Sequence, residues 1–254
     1  MVIWSIVGLL IISNLYFLLR YRKYKMINKG RYYLPMSSAS YLSNLLEVNE
    51  FGPTFASEVS FIGRGDLIVP GGTTDSEAWL LSVLSKEAKT MFEFGTCTGK
   101  TTYLWAKNSS EDAKVFTLTL PPEGTSSFEI NKEDSQVAVT NAVNESSFTQ
   151  FLYSGTEVES KVEQIFCDSK NFNDNEYEVF FDLIFIDGSH AYSYVQNDTE
   201  KAFRMLKKGG IILWHDYDGI NRNNKDVYSY LNQLSKSKEL YHIKNTSIVA
   251  FKDC

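Results

Sequence analysis

Short runs with apolar side chains at nearly every position recur along this chain, near 90–95, 115–120, 162–167, 181–187 and 210–215. Such runs suit parallel strands buried on both faces. Helical patterns separate them at 99–108, 134–153 and 193–207. Another spans 75–87, where Trp79, Leu80, Val83 and Leu84 share one face and Asp75 is the expected N-cap. A helix near 225–236 leads into 239–252, which reads as two strands around Asn245–Thr246. Strand–helix alternation closed by a hairpin predicts an α/β fold: a mostly parallel sheet with crossover helices and one antiparallel strand.

A different pattern opens the chain. Residues 2–19 carry no charge, with only Ser5, Ser13 and Asn14 clearly polar, and eighteen helical residues span about 27 Å. Residues 20–31 then hold six Lys/Arg and no acid. Together they predict a single transmembrane anchor over 1–19, with Trp4 and Tyr16, Tyr21 and Tyr24 at the interfaces and the following domain on the cytoplasmic side. Residues 20–74 read as a basic juxtamembrane linker, a small helix at 42–48 and approach loops. Residues 75–254 read as the functional domain.

Charge narrows the partners. Of the 25 Lys/Arg, 19 remain beyond the basic segment against 31 acids, so the body is acidic and nucleic acid is not an expected partner. Cys97, Cys167 and Cys254 are far apart and form no zinc motif or disulfide framework.

Three stretches carry candidate chemistry: MFEFGTCTGKTT (91–102), FDLIFIDGSHAY (181–192) and GGIILWHDYDG (209–219). Ligands of open parallel sheets sit outside the carboxyl ends of the strands. Asp187, His190, His215 and Asp216 are therefore expected at one edge beside the turn of Gly95 and Gly99. Glycines there let the backbone bend sharply, and the following helix N-terminus favours anionic groups. Asp187 or Ser189 could instead merely cap the next helix. Strand alternation directs only one of His215 and Asp216 inward, and Asp216 is the expected one. Trp214 and Tyr217 read as core and rim, Lys100 as solvated. A P-loop is the rival reading of GTCTGKT, but the loop is one residue short of G-x-x-x-x-G-K-[ST] and leaves Glu93 without a role.

The E-x-G-x-x-x-G pattern at Glu93, with the later FDLIFIDGSHAY and LKKGGIILWHDY segments in order, resembles class I S-adenosylmethionine-dependent methyltransferases over about 75–252. The D-G-S-H and H-D-Y stretches look most like a bacterial branch with magnesium-dependent sugar O-methyltransferases and cephalosporin-hydroxylase-like proteins. The resemblance implies a seven-stranded Rossmann-like sheet and a cofactor, S-adenosylmethionine, bound across Glu93, Gly95, Thr96, Gly99, Thr119, Asp168 and Asp187. It also implies Mg²⁺ on Asp187 and Asp216, with His190 as base beside Asp187, acting on a hydroxyl of a small molecule or sugar. Two positions depart from the pattern. Thr119 stands where the family carries an acid for the ribose, with Glu123 as a possible substitute, and His215 stands where relatives often carry an acid. A catalytically silent scaffold of the same fold is the alternative class.

Overall fold

The computed structural model describes residues 2–28, 34–62, 72–122, 131–132, 134–219 and 224–253. The chain divides into two units, Met1–Tyr33 and Leu34–Cys254. The first is a helix, α1 (Val2–Asn28), that runs on past the apolar stretch into the basic residues. Among the described residues, no helix is long and apolar enough to cross a membrane. The expected anchor over 1–19 thus finds no support among the described residues. Within the apolar run the Asn14 amide donates to Leu10 O at 2.9 Å.

In the second unit residues 34–62, from the segment read as linker and approach loops, are part of the body. Two 3₁₀ turns, Ala39–Tyr41 and Asn44–Leu46, replace the small helix expected there. They bury Leu42 and Leu46 in the same core as Leu80, Val83 and Leu84.

An eight-stranded sheet is built from β1 (Met36–Ser37), β4 (Thr90–Phe94), β5 (Lys114–Thr119), β6 (Val162–Phe166), β7 (Phe181–Ile186), β8 (Leu206–Trp214), β9 (Tyr241–Ile243) and β10 (Val249–Lys252). Its order is β1-β9-β10-β8-β7-β4-β5-β6. The small hairpin of β2 (Val48–Asn49) and β3 (Gly52–Pro53) lies apart. From β8 to β6 all neighbours pair in parallel, whereas β10 runs antiparallel to both β8 and β9. The predicted seven strands and closing hairpin are present. The two-residue β1 adds an edge strand that no apolar run announces.

Alternate positions of the central strands serve two faces. Met91, Val115, Leu183, Phe185 and Leu213 join one core with α2 (Asp75–Ser85) and α3 (Lys100–Asn108). On other positions, the rings of Phe92, Phe116 and Phe181 meet one another and those of Phe172 and Tyr177. Three helices complete the unit: α4 (Gln136–Glu145), α5 (Tyr192–Met205) and α6 (Lys225–Leu234). Trp214 is fully buried and donates to Thr199 Oγ1 of α5 at 2.8 Å. Tyr217 is buried as well, not at the rim. The N-cap of α2 is Thr74, not Asp75, because Thr74 and Glu77 form a reciprocal capping box that Asp75 has no spacing to make.

Candidate active site

Backbone hydrogen bonds continue one residue beyond the central strands and draw their ends together. Asp187 N donates to Phe94 O, Gly95 N to Leu118 O, His215 N to Ile186 O and Cys167 N to Thr119 O, at 2.8–3.1 Å. Gly95 is required by this convergence. Its φ is +100°, and a Cβ there would lie 2.2 Å from Asp187 O. Gly99 turns into α3 with φ +75°, and a Cβ would press on Tyr153 and Phe151.

A pocket with about 480 Å³ of empty volume opens at these strand ends. Its lining runs from Leu118, Thr119 and Leu120 after β5, past Cys167 and Ser169 after β6, to Gly95, Cys97, Asp187 and Gly188. Tyr194 and Asp198 of α5 and Ala142 and Glu145 of α4 also line it.

Directly beside it stands a cluster of paired charges. His215 Nδ1 lies 2.9 Å from Asp187 Oδ1 and 3.4 Å from Asp216 Oδ2. His190 Nε2 lies 2.9 Å from Asp216 Oδ2, and Asn224 donates to the other oxygen of Asp216 at 3.0 Å. Behind His215 is Glu77, whose Oε2 is 3.3 Å from Nε2, off hydrogen-bonding alignment, and whose Oε1 accepts from Ser247 N and Oγ. Both His215 and Asp216 thus enter the cluster, contrary to the expectation that only Asp216 would. Asp216 has φ +61°, and this left-handed turn breaks the alternation that would have parted them.

The electrostatics follow from burial and pairing. Burial opposes the His190 cation, but the Asp216 carboxylate outweighs it and holds the imidazole up to about 9. Burial likewise opposes the His215 cation, and Asp187 and Asp216 together raise it well above its ordinary value. Burial raises Asp187 against the pull of His215, while the two imidazoles outweigh burial at Asp216 and hold it well below the carboxylate range. Burial at Glu77 is likewise overcome by His215, which keeps that carboxyl low.

Other predicted residues take up different positions. Glu93 is buried inside the sheet, accepting from Thr102 and, at 2.9 Å, from Thr117 Oγ1, and does not line the pocket. Burial lifts its carboxyl to about 8 against those two hydrogen bonds. Thr96 is buried beside it, 2.8 Å from Thr117 Oγ1 and accepting from Gln164. Asp168 accepts from Tyr194 Oη and Lys170 N, so its neighbours Cys167 and Ser169 line the pocket instead. Thr119 lines the pocket as expected; Glu123 lies outside the described residues. Ser189 accepts from Ala191 N at 3.3 Å, so the turn-capping role falls to it and Asp187 faces the cluster. Lys100 is buried, not solvated, with Nζ donating to Thr73 O at 3.2 Å, which withdraws the cation a P-loop would need.

Sequence reasoning missed Glu77, Glu145, Asp198 and Asn224. A signal existed only for Glu77, the T-x-x-E spacing of a capping box. Asp187, His190 and Asp216 present ligand atoms within 4.8 Å of one another, a set that could take a divalent cation.

Residues 92–217 match the family described as a methyltransferase domain. Among solved structures, an S-adenosylhomocysteine-bound Podospora anserina methyltransferase shares 16% identity with a TM-score of 0.52, over 72% of this chain and 80% of that one. A Corynebacterium glutamicum protein shares 11% identity with a TM-score of 0.50, over 72% and 83%. A Bacillus cereus O-methyltransferase in complex with S-adenosylhomocysteine shares 15% identity with a TM-score of 0.48, over 72% and 83%. No curated protein matches. The fold is the Rossmann-like methyltransferase fold, and residues 92–217 form a methyltransferase domain of that family.

Proposed function

We propose that this methyltransferase uses S-adenosylmethionine to methylate a hydroxyl of a small molecule, with sugars among the candidate acceptors. The observation that carries the reading is the double placement of Asp187, which lines the pocket and also belongs to the histidine–carboxylate cluster. A ligand in the pocket therefore has a proton-handling centre at its edge.

The pocket residues fit an adenosyl amino acid. Leu118, Leu120 and Tyr194 offer apolar walls for a base, Thr119 and Ser169 offer hydroxyls, and the Asp187 end carries charge. When bound, that cofactor supplies an electrophilic methyl group on a sulfonium. The chain's own residues then hold the acceptor in line and deal with its proton. Asp187 and Asp216 would hold a hard divalent ion such as Mg²⁺, which takes one or two carboxylates and keeps several waters. Such an ion makes a hydroxyl more acidic. His190 would take the proton in its neutral form, which a divalent ion on Asp216 would favour by drawing off the carboxylate that holds the imidazole up to about 9; its Nδ1 is buried with no hydrogen-bond partner among the described residues.

Calorimetry with S-adenosylmethionine, followed by transfer of a labelled methyl group to a panel of hydroxylated acceptors, tests this reading. Binding, and transfer that chelation weakens, are expected. Absence of binding at millimolar cofactor would turn the account to a silent scaffold. Binding with transfer indifferent to chelation would remove the metal and leave proximity catalysis at the same edge.

A further inference from the structure

The pocket is chemically lopsided. Around the ends of β5 and β6 its lining is Leu118, Thr119, Leu120, Cys167 and Ser169, and the one carboxylate there, Asp198, is tied to Asn197 and Ser169. Toward the ends of β4 and β7 it gathers Gly95, Cys97, Asp187 and Glu145. Three carboxylates line the whole, and two are already committed. Asp187 is paired with His215 at 2.9 Å, and Asp198 accepts from Asn197 Nδ2 at 2.8 Å. Glu145, the last residue of α4, is different: among the described residues its carboxylate accepts no hydrogen bond.

A partly buried carboxylate without a partner is costly unless a cation or donor meets it. The neighbouring cations do not serve, since His190 is held by Asp216 and His215 by Asp187. The acid that opens the glycine turn does not serve the pocket either, because Glu93 is enclosed by Thr102 and Thr117.

We propose that Glu145 is the binding residue for the ammonium group of the cofactor's amino-acid portion. The proposal rests on the S-adenosylmethionine reading and sharpens it. A ligand with a flat apolar end and a charged end matches the two ends of the pocket in one orientation. Its charged end then lies beside Gly95, Cys97 and Glu145, next to the cluster where an acceptor is deprotonated. Burial lifts the Glu145 carboxyl to about 7, with Asp187 and Asp216 adding to the rise against the two imidazoles. An arriving cation relieves that strain.

Two nucleosides separate this role from others. S-adenosylhomocysteine carries the ammonium; 5′-methylthioadenosine keeps the thioether nucleoside and lacks the whole amino-acid portion. Both are titrated calorimetrically into the full chain and its Glu145→Gln variant, with thermal melting as the folding control and Glu145→Ala as a second variant. In the variants, S-adenosylhomocysteine should bind about tenfold more weakly or worse, as expected for losing a charge-assisted hydrogen bond. Methylthioadenosine should bind within about twofold of wild type. Unchanged affinity for S-adenosylhomocysteine overturns the proposal, and so does equal weakening of both nucleosides. Unchanged affinity with collapsed turnover overturns it too, and makes Glu145 a proton acceptor instead. If wild type binds neither nucleoside, the cofactor reading itself falls and this proposal with it.

Discussion

The glycine turn after β4 and the strand ends of β7 and β8 both look like active-site motifs, yet they do different work. At the turn the polar side chains face inward: Glu93, Thr96, Thr102 and Thr117 bond one another within the protein. Gly95 is there so that the Asp187 backbone can pass. At the β7 and β8 ends the polar groups are drawn outward into a cluster with a pocket on its flank. The first region is a scaffold that fixes where the second stands. A motif can therefore be the clearest mark of a family while its conspicuous acid is enclosed by its own neighbours.

The comparison breaks most severely at Gly95. Gly95→Ala places a Cβ against immobile backbone at a positive φ, and should destabilise the protein by about 3 kcal/mol or more. For a unit of this size that is a fall of about 10 °C in thermal midpoint. A midpoint within about 2 °C of wild type would show that the convergence with Asp187 is not rigid.

His190→Ala breaks the pair with Asp216 and so should also lower the thermal midpoint, but cofactor affinity should stay nearly unchanged while turnover drops by about a hundredfold, the lower range for a lost acid–base group. Loss of cofactor affinity in step with turnover would make His190 a binding residue.

The smallest effect lies in the scaffold. The Glu93 carboxyl is held at about 8, above its ordinary value, so the folded state binds that proton more tightly than the unfolded chain does. The stability it contributes is full below about pH 4.5 and is lost as pH rises through about 8. His190, held at about 9, acts in the same direction at higher pH. Glu93→Gln should therefore flatten the decline in thermal midpoint between pH 5 and 8 without removing the decline above it. An identical slope in wild type and variant would mean that Glu93 is ionised in the fold.

The central strands were legible because burial on both faces leaves unbroken apolar runs, and the site was legible where those runs end in Asp187, His190, His215 and Asp216. What escaped reading is contact between distant segments. Glu77 reaches His215 and Ser247 from a helix some 140 and 170 positions earlier in the chain, and Glu145 comes from a helix end with no motif around it. The left-handed conformation of Asp216 escaped too, since the sequence there carries no glycine to announce it. Lys100 looked solvated because nothing local indicates that Thr73 O lies over it.

Hydrogen–deuterium exchange of the full chain with and without S-adenosylhomocysteine tests the central claim most directly, because it reads where the ligand sits. The account predicts slowed exchange at four strand ends together, 94–97, 118–120, 167–169 and 187–189, with no change in the hairpin of β2 and β3. Protection confined to other segments, or none at saturating ligand, would contradict it.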